Sequence, residues 1–235
     1  MIEGFSAERY ISVDRAEDRA DAVAFLARAS RLDDMAVVRI AIRPDGLLGL
    51  WSHTGFDVLV TRAVFGRMAP KDLVCDAGAL RTALTMTPPR EGVDPGMPFD
   101  SAWRGALPLQ TGYRHVDDVP ARTVVALARD GARVAREEGS AHGPATGVLD
   151  QEVLEVASVQ GNLRAAITMR SLFALTAMGF IRDAAGHAIT ESSEVEAIDA
   201  DEPIRIRMSA AWIRIDARYG AVYQRRHREL GVTVR

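Results

Sequence analysis

Residues Met35–Val64 read M-A-V-V-R-I-A-I-R-P-D-G-L-L-G-L-W-S-H-T-G-F-D-V-L-V-T-R-A-V, and this stretch predicts three consecutive antiparallel strands. Met35–Ile42 is dominated by β-branched residues, which suit a pleated and mostly buried surface. Arg43-Pro44-Asp45-Gly46 then reverses the chain, because proline presets φ at the first turn position and glycine takes the left-handed conformation other residues avoid. Leu47–Ser52 reads as the second strand, Thr54-Gly55 as a second turn and Asp57–Val64 as the third strand. Three strands alone leave an apolar face open, so the meander needs a cover.

The cover is expected on both sides in sequence. Asp14-Arg15-Ala16-Glu17 fits a capping box, opening a helix to Arg31 that would turn Ala16, Ala20, Val23, Ala24 and Ala27 toward the sheet, flanked by Phe25 and Leu26. After the meander, Gly66 and Pro70 break the strand pattern, and Asp76 reads as the N-cap of a helix Ala77–Thr85 with Leu80, Ala83 and Leu84 inward. Thr87–Ser101 carries four prolines and two glycines. Regular structure is not expected there; it reads as a domain linker, with a loop folded over a site as the other reading.

Beyond it, Asp117-Asp118-Val119-Pro120 has the composition of a helix entry, and the helix would run to Glu138 with Val124, Val125, Ala128, Ala132 and Ala135 inward. Gly131 either weakens this helix or permits close packing. Gly139–Gly147 reads as a small-residue loop. Val153–Ser158 and Leu163–Thr168 read as a hairpin, and Met169–Phe180 as an apolar helix closed by Gly179. A polar, acidic loop at Ala184–Ala200 precedes a strand in which Ile204, Ile206 and Met208 alternate with Arg205 and Arg207. Ala210–Arg225 fits a strand and a helix equally well.

Composition narrows the classes. A formal net charge of −3 argues against a chain built wholly around polyanion binding. Lys71 is the one lysine among 29 basic residues, a bias that GC-rich codons produce without any functional demand. Cys75 is the one cysteine, so no intrachain disulfide framework exists. Just before a helix start its thiol would be activated; as a small buried hydrophobe it would be inert. The first ten residues carry acids and no apolar core of a signal peptide, and the longest uncharged runs are far short of a membrane span. A cytoplasmic setting is expected.

No phosphate-binding glycine loop, nucleophile elbow, zinc-protease motif or cysteine pair is present. Two constellations remain. Trp51, His53, Asp57 and Arg62, around the meander, form a candidate ligand-binding or acid–base cluster, since strand alternation sets Trp51 and His53 on one face. Arg205, Arg207, Arg214, Arg218, Arg225 and Arg226, interleaved with Trp212, Tyr219 and Tyr223, form a candidate nucleic-acid surface. With the preceding hairpin and helix they resemble the parts of a winged-helix unit. Residues 181–203 carry seven acids, enough to neutralise these arginines within the chain. The five histidines lack ligand spacing, so neither metal nor cofactor is expected.

Leu107–Ala121 (L-P-L-Q-T-G-Y-R-H-V-D-D-V-P-A), Leu149–Leu154 (L-D-Q-E-V-L) and Met169–Ile181 (M-R-S-L-F-A-L-T-A-M-G-F-I) resemble uncharacterised proteins of high-GC Gram-positive bacteria, the actinobacteria. The resemblance implies a bacterial cytosol and lends no activity. The sequence therefore predicts an α+β protein of two small lobes, each an antiparallel sheet, meander or hairpin, covered by helices. The first would span residues 1–100, ending in the Pro/Gly-rich linker, and the second 101–235. The role expected is a non-catalytic interaction or assembly protein, self-associating as a homodimer through exposed sheet edges or the C-terminal aromatic face. A nucleic-acid-binding regulator is the alternative, and an enzyme with a pocket between the lobes, under Thr87–Ser101, a further one.

Overall fold

The computed structural model describes residues 9–138 and 146–226. In chain order they form β1 (Tyr10–Ser12), α1 (Ala16–Leu32), β2 (Val37–Ile42), β3 (Leu48–His53), β4 (Leu59–Val64), β5 (Arg67–Ala69), β6 (Asp72–Asp76) and α2 (Ala77–Met86). Then come β7 (Arg114–Pro120), α3 (Ala121–Glu138), the short α4 (Thr146–Leu149), β8 (Glu152–Ala157), β9 (Arg164–Thr168), α5 (Met169–Ala177), β10 (Pro203–Met208), β11 (Trp212–Ala217) and β12 (Gly220–Arg225). Each lobe is an antiparallel sheet with helices over it, and the two sheets are one. The order β6-β2-β3-β4-β12-β11-β10-β7 makes eight continuous strands. The seam is β4 against β12, where Val60 faces Val222. About that seam the halves correspond: the meander β2-β3-β4 follows α1, the meander β10-β11-β12 follows α5, and each outer strand, β6 or β7, leads into a helix.

The predicted meander is present with its turns, Gly46 taking φ +81° and Asp57 φ +58°. Asp76 caps α2 by accepting from the Ala79 amide at 2.6 Å. The capping box at Asp14 does not form. Arg15 occupies the cap position with no side-chain bond, while Asp14 accepts from Ser12 and from Arg67 at 3.0 Å. The inner face of α1 also differs: Ala22, Phe25, Leu26 and Ala29 are buried, whereas Ala16 and Ala20 are exposed. Phe25 and Leu26 remove far more apolar surface from water than an alanine stripe does, and they set the helix rotation. Arg19 is buried with them, donating to the carbonyls of Val13, Leu84 and Thr87 and so closing the end of α2.

Asp117-Asp118-Val119-Pro120 is not a helix entry but the end of β7, paired with β10 (Ile204↔Val119, Arg205↔Asp118). Pro120 closes the strand and α3 begins at Ala121. The inward face of α3 is as predicted: Val124, Val125, Ala128 and Ala135 are buried, and Ala132 packs against them. At Gly131 a Cβ would lie 2.2 Å from Met169 Cε, so the glycine serves close packing. Ala210–Arg225 is neither one strand nor a helix but the hairpin β11–β12. The small-residue loop predicted at 139–147 lies mostly outside the described residues.

Cys75 sits near the end of β6, immediately before the Asp76 cap of α2, as expected. It is fully buried, and desolvation pushes its thiol up to about 12. Of its two readings, the inert one holds.

Residues 87–113 connect opposite ends of the sheet. Val93 pairs with Ile11, and the Phe99 amide donates to Val74 of β6. Trp103 then packs against His53, and Leu107 and Tyr113 pack on the cluster of Trp51, Leu59, Ala221 and Tyr223. This connector covers the sheet face opposite the helices. The main core lies on the other side, between the sheet and α1, α2, α3, α5 and the β8–β9 hairpin.

Candidate functional site

The four meander residues are not brought together. Trp51 and His53 share the connector side of the sheet, with Thr61 opposite Trp51 and Leu59 opposite His53. Arg62 faces Leu50 and projects from the helix side. Asp57 lies in the turn between β3 and β4. Trp51 is buried against Tyr223, with ring centroids 5.1 Å apart. His53 packs against Trp103 with the rings tilted by 46° and their centroids 5.0 Å apart. Desolvation under that indole lowers its pKa even though much of the ring stays open to solvent. These two belong to the packing of the connector.

The C-terminal arginines lie together but mostly spent within the chain. Arg205 holds Asp118 at 3.0 and 3.2 Å. Arg214 and Arg207 share Asp216 at 2.7 and 3.6 Å. Arg218 reaches Glu202 at 3.8 Å. Arg225 covers the Trp212 ring at 4.7 Å, and Arg226 donates to the Ser209 carbonyl at 3.1 Å. The strands that carry them continue the large sheet, so they are not the wing of a winged helix.

A concave site does lie between the lobes, on the helix side. It is a cleft of about 1010 Å³ walled by the end of α1, by α3, by α5 and by residues 188–191. No residue of Thr87–Ser101 lines it. Its floor is apolar, made by Val125, Ala128, Ala132, Phe56 and Phe173, the last two with ring centroids 5.8 Å apart. Arg170 holds the Phe56 end, donating to its carbonyl at 3.1 Å while paired with Asp150.

Four arginines edge this floor. Arg129 donates to the carbonyls of Thr190 and Ser193 at 2.8 and 2.5 Å. Arg136 pairs with Glu191 at 2.9 Å. Arg31 donates to the Ala177 carbonyl at 3.2 Å. Carbonyls order a guanidinium without neutralising it, so among the described residues Glu191 is the one carboxylate of the lining that offsets the four charges.

Arg28 is the distinctive member. Its guanidinium lies flat on Gly179, where a Cβ would be 2.5 Å from Cζ. Gly179 takes φ +60°, so the helix-ending glycine predicted there also makes room for Arg28. No hydrogen bond or ion pair holds Arg28 among the described residues. Burial lowers its proton affinity, and the nearby charges of Arg182 and Arg31 lower it further. Asp21 acts on it only from a distance, its own oxygens going to Arg62 and, at 3.3 Å, to Arg182. These four cleft arginines escaped the sequence reading. The i, i+3 pair Arg28 and Arg31 passes for an ordinary complement to the helix dipole, and only the fold sets α3 opposite them.

Residues 108–229, just over half of the chain, match a family described as a domain of unknown function, DUF8185. The chain belongs to that family. In this DUF8185 protein, residues 6–105 match a second domain of unknown function, DUF8010, so the two matches meet within the connector. No curated protein matches the DUF8185 chain. Solved structures do, at the level of fold. A putative DNA polymerase III beta subunit from Eubacterium rectale superposes with a TM-score of 0.54 at 10% identity, over 95% of this chain and 67% of its own. The DNA polymerase sliding clamp of Bacillus subtilis gives 0.53 at 11% identity over 95% and 66%. The clamp of Caulobacter crescentus gives 0.52 at 10% over 93% and 65%. The DUF8185 chain thus has the fold of sliding clamps and spans about two thirds of their length. No helix among its described residues is long and apolar enough to cross a membrane.

Proposed function

We propose that this chain is a non-catalytic interaction or assembly protein of the bacterial cytosol, whose clamp-like scaffold presents the cleft between α1, α3 and α5 as a binding site. One observation carries the reading: among the described residues, the charged side chains lining the cleft are four guanidiniums and Glu191. Arginine keeps its proton throughout the physiological range, so such a lining holds negative charge and is ill suited to proton transfer. Calorimetry with the full chain and inorganic phosphate tests it. Saturable binding that Arg28→Gln and Arg31→Gln weaken is expected. Wild-type chain with no anion affinity at low salt would end the reading.

Self-association belongs to the same proposal, through β7. The edge of β6 is occupied, Val74 accepting from Arg9 and from Phe99, and the connector covers the aromatic face. β7 ends the sheet at its other side. Two copies of Arg114–Asp118 running antiparallel about Val116 would set Arg114 against Asp118 and His115 against Asp117. Light scattering should then show a dimer that Val116→Pro dissociates; a monomer at every concentration would remove this part.

The nucleic-acid reading gains support from the clamp fold and loses it at the arginines, most of which already hold carboxylates. Mobility shift with duplex DNA at two salt concentrations separates the two. Affinity that falls steeply with salt would favour the regulator.

A further inference from the structure

We infer that the cleft between α1, α3 and α5 takes a small amphiphilic anion: a carboxylate or phosphate head on an apolar chain or ring, with the head on Arg28 and Arg31 and the body over Phe56, Phe173 and Val125. The inference deepens the proposed function and rests on its reading of this cleft as a binding site. Three features of the molecule specify the ligand. The cleft divides chemically, with guanidiniums from the last turns of α1 at one side and an apolar floor from α3 and α5 beside them. A purely ionic ligand leaves that floor wet, and a purely apolar one leaves Arg28 without a counter-charge.

Burial, together with the neighbouring charges of Arg182 and Arg31, disfavours the charge on Arg28, and an anion bound beside it offsets that cost. Arg28 is also preorganised. Packed on Gly179 and without a hydrogen-bond partner among the described residues, it has little conformational freedom to lose when a ligand arrives.

Size and wall chemistry favour a small molecule over a peptide. A volume of about 1010 Å³ stands at the top of the range for small-molecule sites, roughly 300–1,000 Å³. The principal walls are helices, whose backbone amides are used internally, so an extended peptide finds no strand edge to pair with. Recognition here runs through side-chain charge and apolar burial alone.

The test is calorimetric titration of the full chain with octanoate, octyl phosphate, octanol and poly-glutamate. Octanoate or octyl phosphate should bind, the better of the two naming the head group, with octanol about ten- to hundredfold weaker, the range of a lost charge-assisted hydrogen bond. Arg31→Gln and Arg28→Gln should each weaken the anions by a similar factor and leave octanol unchanged. Arg31 is exposed, so R31Q keeps the test decisive should R28Q fail to fold. Ala132→Trp, which fills the floor, should abolish binding of both classes.

Equal affinity for octanoate and octanol, or octanoate binding that neither arginine variant changes, overturns the inference. Poly-glutamate binding where the octyl anions do not overturns it too, while leaving the cleft an anion site. No binding by any anion removes the inference and the proposed function together.

Discussion

Gln224 lies on the core side of β12 and is almost wholly buried, a position where an unsatisfied amide is costly. Its Oε1 accepts from the Thr168 amide and hydroxyl, both at 3.1 Å, and from the Ser171 hydroxyl at 2.8 Å; its Nε2 donates to the Ala166 carbonyl at 2.9 Å. One side chain thereby ties the large sheet to β9 and the start of α5. Gln224→Leu keeps the volume but strands the Ser171 hydroxyl and the Thr168 amide. Urea unfolding of this variant should show a loss of about 3 kcal/mol, with the slope unchanged. Nothing in A-V-Y-Q-R marks this residue in the sequence, because its three partner residues lie more than fifty positions away. Arg28 is hidden for the same reason: it reads as an ordinary helix-terminal cation until Gly179 is brought beneath it.

Among the elements, those whose signals are local were legible and those that depend on a distant partner were not. The meander, α2 with its Asp76 cap, the β8–β9 hairpin and α5 each carry their own turn or capping chemistry. β7 does not. R-H-V-D-D-V-P has the acids and proline of a helix start, and it becomes a strand because β10, more than eighty residues later, pairs with it. The seam between them is partly electrostatic. Asp118 is held below the ordinary carboxylate range by the hydrogen bond from Arg205, assisted by His115. Its folded pKa lies below the unfolded value of 3.8, so its contribution is present above about pH 4 and is lost as pH falls through the lower folded value. Asp118→Asn should therefore lower the urea midpoint at pH 6, and the gap to wild type should close as pH drops below about 4. A gap independent of pH would mean that the carboxylate charge is not what matters there. The exposure of the pair keeps the expected effect small.

For the molecule as a whole, composition and periodicity implied two sheet-bearing lobes but not that the sheets fuse. Val60 and Val222, like their neighbours on β4 and β12, look the same in sequence whether a strand is an edge or a centre. The fusion is reinforced on the helix side, where Asp21 of α1 bonds Arg62 of β4 and Arg182 from the second lobe, and Arg182 lies 3.9 Å over the Tyr219 ring. One carboxylate thus serves guanidiniums from both lobes. Asp21→Asn leaves those cations facing each other half-buried, and stability should fall by about 1–3 kcal/mol, a buried-pair cost reduced for partial exposure. Added salt should recover part of the loss by screening the repulsion. If the variant matched wild type at low salt, the lobes would be held by the seam alone.

The covalent route from one lobe to the other runs only through the connector, while the β4–β12 hydrogen bonds and the Asp21 ion pairs are independent of it. Chain continuity and lobe association are therefore separable. Opening the backbone near Ala106, in the connector and at an exposed position, should yield two fragments that find each other when co-expressed. Complementation of this kind would give a working complex from two genes, with the loss of effective concentration as its main penalty.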